Sequence, residues 1–156
     1  MAEYGGVLGA VTYPMPELRN YVDANFKAAM DRGLDLDFHV DETMDPTVNT
    51  LKDICESALA HGFDGKVLVG HLCSLSAMPE VEALNTLDLV AKAGIEVVSL
   101  PMCNLYLQDR HGARTPRARG ITLVHEMKER GLSVSFASDN TRDPFYAYGD
   151  LDMAEV

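Results

Sequence analysis

The sequence contains no tryptophan, only three cysteines and no long apolar run. Cys55, Cys73 and Cys103 are odd in number and show no CxxC spacing, so no disulfide framework is indicated and reduced thiols are expected. The absence of about 18 consecutive apolar residues excludes a transmembrane helix, and the N-terminal MAEYGG lacks the features of a signal peptide. These absences predict a cytoplasmic protein with no membrane partner.

Basic residues are also scarce, at 13 against 24 acidic residues, which gives a net charge of −11. Such a chain is repelled by phosphate backbones and anionic lipids, so we expect no nucleic acid partner. Arg110, Arg114, Arg117 and Arg119 form the main basic cluster. Two interpretations remain open for this cluster, a solvated loop with a helix start or a contact with an anion or another subunit.

Several catalytic motifs are missing. The first apolar segment, GGVLGAVTYP, lacks the GxGxxG spacing of a nucleotide-binding turn, and no GxSxG occurs. HEMKE at 125–129 matches only half of the HExxH zinc motif, because residue 129 is Glu. Nucleotide-binding, serine hydrolase and HExxH metalloprotease chemistry are therefore not indicated.

The remaining pattern is a regular alternation of apolar runs and amphipathic segments over 156 residues, a length that suits one domain. The predicted strands are 6–11, 36–40, 66–71, 96–100 and 132–138, and the predicted helices are 16–32, 46–62, 79–93 and 116–130. Prolines near helix starts and glycines after helix ends support these boundaries. The alternation predicts a parallel α/β sheet, either an open doubly wound sheet or part of a (β/α)8 barrel.

Polar side chains follow the predicted strands. His39 and Glu42 come at the end of the second strand, His71 at the end of the third, and Asp139 after the fifth. Each has a plain structural explanation, such as a buried core histidine, a helix N-terminal carboxylate or a turn. Because parallel strands end at one edge of the sheet, we expect these groups to converge there on a site.

The strand ends also resemble a known family. HVDE at 39–42, GH at 70–71 and SDN at 138–140 are similar to the amidohydrolase superfamily. The segments 100–131, LPMCNLYLQDRHGARTPRARGITLVHEMKERG, and 138–153, SDNTRDPFYAYGDLDM, resemble its cytosine deaminase branch. The resemblance implies a partial (β/α)8 TIM barrel of about five parallel strands with four intervening helices, and one divalent metal ion, Zn or Fe.

The same resemblance implies a role for each strand-end residue. His39 and Asp139 would bind the metal, Glu42 would move protons, His71 would hold the attacking water, and Asp139 would also assist its deprotonation. The residues expected to contact the substrate are Asn140, Gln108 and Phe145.

The family pattern is incomplete in this chain. The HxH pair that supplies two further metal ligands is absent, so the metal expected in the complete enzyme would be held poorly here. Five strands do not close a barrel and leave two open edges. We therefore expect 1–156 to be a single incomplete domain, either a fragment, one chain of a split barrel or a subunit of a homo-oligomer that covers the edges.

The sequence thus predicts a deaminase that hydrolyses the exocyclic C–N bond of a nucleobase-like heterocyclic amine. Asn140 stands where the cytosine branch often has a second aspartate, so a triazine or a purine-like ring is an alternative substrate to cytosine. Two other functions remain open, a catalytically incomplete interaction module of the same fold and a flavodoxin-like binding protein.

Overall fold

The computed structural model describes residues 2–156 and contains five strands and five α-helices. The elements in chain order are β1 Leu8–Val11, α1 Leu18–Met30, β2 Leu36–Val40, α2 Thr50–His61, β3 Val67–His71, α3 Glu80–Ala93, β4 Glu96–Ser99, α4 Pro101–Leu107, α5 Val124–Glu129 and β5 Val134–Phe136. Among residues 2–156, every helix is too short or too polar to cross a bilayer.

The strands form one parallel sheet in the order β1-β2-β3-β4-β5. This order follows the chain, whereas a doubly wound sheet reverses direction at a switch point. Four of the five helices contact one another in the same succession, α1 with α2, α2 with α3 and α3 with α5, so these four form one layer. The prediction of a partial (β/α)8 barrel is therefore confirmed, and the flavodoxin-like alternative is excluded.

Strand β2 shows how the sheet separates its two faces. Leu36, Phe38 and Val40 are buried in the hydrophobic core, and the Phe38 ring lies 6.1 Å from that of Phe26 on α1. His39, between them, is exposed. Because side chains alternate along a strand, His39 must point to the face away from the helices, which would be the interior of a barrel.

The first three helices follow the predicted segments but are shorter. Helix α2 begins at Thr50 rather than near Pro46, because the Asn49 side chain accepts a hydrogen bond from the Lys52 amide and caps the helix there. Gly62 and the equivalent glycine after α3 adopt left-handed backbone conformations with φ of 56° and 66°, as the predicted helix stops require.

The fourth predicted helix, 116–130, is wrong over its first half. Only Val124–Glu129 is helical, and the unpredicted α4 follows β4 directly. The preceding loop folds around Asp109, whose carboxylate accepts hydrogen bonds from the Arg117 and Ala118 amides and pairs with Arg114. These contacts hold the chain out of helical geometry, so Pro116 and all four residues of the arginine cluster lie in a loop rather than at a helix start.

Candidate active site

A cleft of about 560 Å³ opens at the carboxyl end of the sheet, beside β1 and β2. The predicted residues that line it are His39, Glu42, Asn140 and Phe145. Its volume falls within the range of small-molecule sites, roughly 300–1,000 Å³. The fold therefore brings together side chains that are separated by about one hundred residues in the chain.

The tip of β2 is held by Asp41, a residue for which the sequence indicated no role. Asp41 has a φ of 51° and is 3% exposed. Its carboxylate accepts hydrogen bonds from the Thr50 amide (2.9 Å), the Thr50 hydroxyl (2.6 Å) and the Leu51 amide (3.2 Å). An anion at a helix N-terminus is stabilised by unpaired amides, so Asp41 ties the tip to α2 and leaves Glu42 at the cleft.

Two histidines meet at the ends of β2 and β3. The Nδ1 atom of His39 lies 3.0 Å from the Nε2 atom of His71. His71 has a φ of 74° and is 2% exposed. Burial lowers the pKa of His71, although the nearby Asp139 charge opposes this effect. A neutral imidazole at His71 is therefore favoured.

Asn104, a residue that the sequence pattern did not indicate, joins these groups. Its side chain is buried, and its Nδ2 atom lies 3.1 Å from Glu42 Oε1 and 3.1 Å from His71 Nδ1. The signal for this region was the resemblance of the segment 100–131 to the cytosine deaminase branch. Asn104 could not be selected within that segment because it lies on α4, a helix that the pattern did not predict.

Burial also changes the acid–base behaviour of Glu42. Desolvation raises the pKa of this carboxyl group, and the charge of Asp139 raises it further. The shift moves the group towards the pH range in which a carboxyl group can both accept and donate a proton.

Asp139 lies with Glu42 and Cys103 in a compact group, in which one potential ligand atom from each residue lies within 4.8 Å of the others. The Oδ2 atom of Asp139 is buried without a hydrogen-bond partner. Burial, with a further contribution from Asp139, raises the pKa of the Cys103 thiol to about 12. A buried carboxylate oxygen that lacks a partner fits a site for a divalent cation.

The predicted ligand His39 is not part of this compact group, and its Nδ1 atom lies 3.0 Å from Nε2 of His71. The assignment of His39 and Asp139 as a ligand pair thus stays a prediction.

The predicted substrate residues occupy different places. Phe145 is 60% exposed at the cleft, and Asn140 lines it while donating a hydrogen bond to Asp143 (2.6 Å). Gln108 does not line the cleft, and its amide instead donates to the backbone oxygen of Glu42 (3.2 Å). The contacts of all three with a substrate remain predictions, and Gln108 has a clear structural partner.

Comparison with known proteins places these features in a family. The chain is 58% identical over 154 residues to a pterin deaminase of Rhizobium rhizogenes, covering 99% of this chain and 35% of that protein. Its structure resembles a 5-methylcytosine deaminase from Klebsiella pneumoniae liganded with 5-fluorocytosine, with a TM-score of 0.84 and 28% identity over 94% of this chain and 36% of the other.

A second solved structure is that of N-isopropylammelide isopropylaminohydrolase from Burkholderia multivorans, with a TM-score of 0.73 and 26% identity over 96% of this chain and 35% of the other. The chain thus spans about a third of the length of these relatives. The Amidohydrolase family model matches residues 5–156. The resemblance seen in the sequence is confirmed, and the chain belongs to the amidohydrolase family.

Proposed function

We propose that this chain forms part of a metal-dependent deaminase that hydrolyses the exocyclic C–N bond of a pterin-like heterocycle. The observation that carries the proposal is the 58% identity to a pterin deaminase over 99% of the chain. The earlier expectation of a purine-like alternative to cytosine is consistent with a bicyclic pterin ring. The cleft volume of about 560 Å³ is large enough for such a ring.

The arrangement of Glu42, His71 and Asn104 supports hydrolytic chemistry. In deamination, water adds to the ring carbon, one proton passes to a ring nitrogen and another to the amine, which leaves as ammonia. Glu42 lines the cleft, and its side chain is 36% exposed, so it can reach both a water molecule and a bound ring. We assign the proton transfers to Glu42 and the orientation of the water to His71.

Asp139 and His39 are the residues that we propose to hold a metal ion. When bound, a divalent cation would lower the pKa of its water ligand and polarise the reacting group of the substrate. The buried oxygen of Asp139 that lacks a partner supports the assignment of that residue. Imidazole and carboxylate ligands suit both Zn and Fe, so the ligand types do not select between them.

We infer that residues 1–156 act as one part of a domain rather than alone. In the structure, β1 pairs only with β2 and β5 only with β4 among residues 2–156, which leaves an edge at each side of the sheet. Additional strands, from the same polypeptide or from another chain, would pair with these edges and close a barrel. The proposed activity belongs to that assembled barrel.

The test is ammonia release by the complete protein, loaded in turn with Zn and Fe. The substrates are pterin, cytosine and an amino-substituted triazine, compared by kcat/KM. We expect pterin to be the best substrate. A higher kcat/KM for cytosine or the triazine would overturn the substrate class, and a folded, metal-loaded protein that releases no ammonia from any ring would favour the non-catalytic interaction module.

A further inference from the structure

Two residues expected to contact the substrate, Asn140 and Phe145, line the cleft from the segment that follows β5. Both lie outside the helices and strands, so their positions depend on other contacts. A side chain that is ordered only when a ligand binds lowers the affinity, because the ordering itself costs free energy. The contacts that hold these two residues therefore affect how well the cleft binds a ring.

Both residues are held by one carboxylate, that of Asp143. Its Oδ2 atom accepts a hydrogen bond from Asn140 Nδ2 at 2.6 Å. Its Oδ1 atom accepts from the backbone amides of Phe145 and Tyr146, each at 2.9 Å. An aspartate followed by a proline, here Pro144, favours such a turn. One side chain thus joins the amide of one cleft residue to the backbone of the other.

The same contacts fix the orientation of the Asn140 amide. Hydrogen bonds from the Tyr146 backbone and the Asn140 side chain lower the pKa of the Asp143 carboxyl group. An ionised carboxylate only accepts hydrogen bonds, so the NH2 group of Asn140 must face it. At the other end of the amide, Asn140 Oδ1 lies 3.6 Å from the thiol of Cys103, a weak donor that also lies beside Asp139. The amide is therefore held at both ends in one orientation.

The turn is packed against α4 and closes on itself. The Tyr146 ring lies 5.0 Å from the Tyr106 ring on that helix, measured between centroids. A Cβ atom at Gly149, which is buried, would lie 2.6 Å from Cδ1 of Tyr146 and 3.0 Å from Cα of Thr141. A side chain at residue 149 would thus displace the turn, so its position relative to α4 depends on this close approach.

We propose that Asp143 is a positioning residue that holds Asn140 and Phe145 in the orientation in which they contact the substrate ring. This inference rests on the proposed function, because it assigns Asp143 to binding of the heterocycle. Asp143 is not among the described residues that line the cleft, and it acts through its two partners.

The first test is kinetic and uses Asp143→Asn in the complete, metal-loaded protein. The variant keeps one side-chain oxygen for the Phe145 and Tyr146 amides, but an NH2 group replaces the acceptor of Asn140. KM for pterin should rise about 10-fold with kcat little changed, since the ring is held less well in the ground state and the transition state alike. Asp143→Ala removes both contacts and should raise KM further.

Asp150→Asn is the matched control. Asp150 is exposed in the same segment, and its carboxylate accepts from the Asp152 amide at 2.9 Å, as that of Asp143 does from the Phe145 amide. Its KM and kcat should equal those of wild type. A merely structural role for Asp143 would reduce the amount of active protein, which lowers kcat and leaves KM unchanged. A folded Asp143→Asn variant with wild-type KM would therefore overturn the proposal.

A second test requires no turnover. Hydrogen exchange of the Asn140 side-chain amide is measured by NMR with 15N-labelled asparagine, the signals being assigned from their loss in Asn140→Ser. In wild type this amide should exchange about 10- to 100-fold more slowly than that of the exposed Asn85, and Asp143→Asn should remove most of the difference. Equal rates for the two amides in wild type, or an unchanged rate in the folded variant, would contradict the proposal.

The two tests separate the possible failures. Slow exchange at Asn140 in a protein that does not turn over pterin would refute the proposed function and leave the positioning role of Asp143 standing. If neither variant of Asp143 folds, as judged by circular dichroism, the exchange rate of Asn140 in wild type decides the question by itself.

Discussion

Glu42 illustrates how a single residue acquires its properties from several parts of the chain. Asn104 holds one of its carboxylate oxygens, and Gln108 binds its backbone oxygen. Burial and the charge of Asp139 raise its pKa. The sequence placed Glu42 at a strand end. Its partners Asn104 and Gln108 lie on α4, which was not predicted, and at the C-terminal cap of that helix.

The first prediction concerns Glu42→Gln in the complete protein. The substitution keeps the shape of the side chain but removes its ability to exchange protons, so kcat should fall roughly 100- to 10,000-fold. Metal content, measured by inductively coupled plasma mass spectrometry, should remain that of the wild type. Glu80→Gln, at an exposed position on α3, is the matched control. Retained turnover in Glu42→Gln would remove this residue from the mechanism.

The second prediction concerns the three cysteines, all of which are buried. Burial raises the pKa of Cys55 and Cys103 to about 12 and also raises that of Cys73. Because the thiolate is the reactive form, iodoacetamide at pH 8 should alkylate the folded protein very slowly. After unfolding in urea, mass spectrometry should show all three modified. Rapid modification of the folded chain at any of these positions would contradict the buried environment.

At the scale of elements, the connection between β2 and α2 depends on one buried acid. Asp41 accepts three hydrogen bonds from the first residues of α2, and the Thr50 hydroxyl also lies 2.7 Å from that of Thr12 beyond β1. The same network therefore positions two strand ends and one helix start. It explains why an acid lies between His39 and Glu42.

The third prediction follows from this cap. Asp41→Ala leaves the Thr50 and Leu51 amides without their buried acceptor, which should lower the free energy of unfolding by about 1–3 kcal/mol. Urea denaturation of the complete protein measures the change. Asp64→Ala, an exposed aspartate before β3, should have little effect. Equal unfolding midpoints for Asp41→Ala and wild type would show that the cap does not stabilise α2.

Helices with a strong apolar periodicity were predictable from the sequence. Elements that depend on contacts between residues distant in the chain were not. Helices α1, α2 and α3 follow apolar stripes that end at glycines, and the prediction located each of them. Helix α4 and the loop around Asp109 depend on side-chain contacts that a local pattern does not encode. The error at 116–130 arose because Pro116 lies in that loop instead of in a first helical turn.

At the scale of the whole molecule, several aspartates favour the folded state when ionised. Asp23 on α1 accepts hydrogen bonds from Ser57 (2.7 Å) and Arg19 (3.3 Å) and lies 3.2 Å from the His61 ring. The Ser57 hydrogen bond is the largest cause that lowers the pKa of Asp23 below 3.8. Backbone hydrogen bonds from Arg117 and other neighbours lower that of Asp109.

The fourth prediction is the resulting dependence of stability on pH. A folded-state pKa below the unfolded value contributes stability that is present above the unfolded pKa and is lost as pH falls through the folded pKa. We therefore expect the urea midpoint to fall as pH is lowered from 5 to about 2.5. Asp23→Asn should be less stable than wild type at pH 7, and its urea midpoint should fall by less on acidification. If the urea midpoint of the variant falls by as much as that of wild type, Asp23 has no role in the pH dependence.

The sequence by itself determined the alternation of strands and helices, most helix ends and the placement of polar residues after the strands. These features follow from short-range periodicity and backbone preferences. The tertiary structure decided the sequential strand order, because a barrel and a doubly wound sheet share the same local pattern. It also revealed Asn104, whose contacts join residues 62 and 33 positions apart and therefore exist only after the chain has folded.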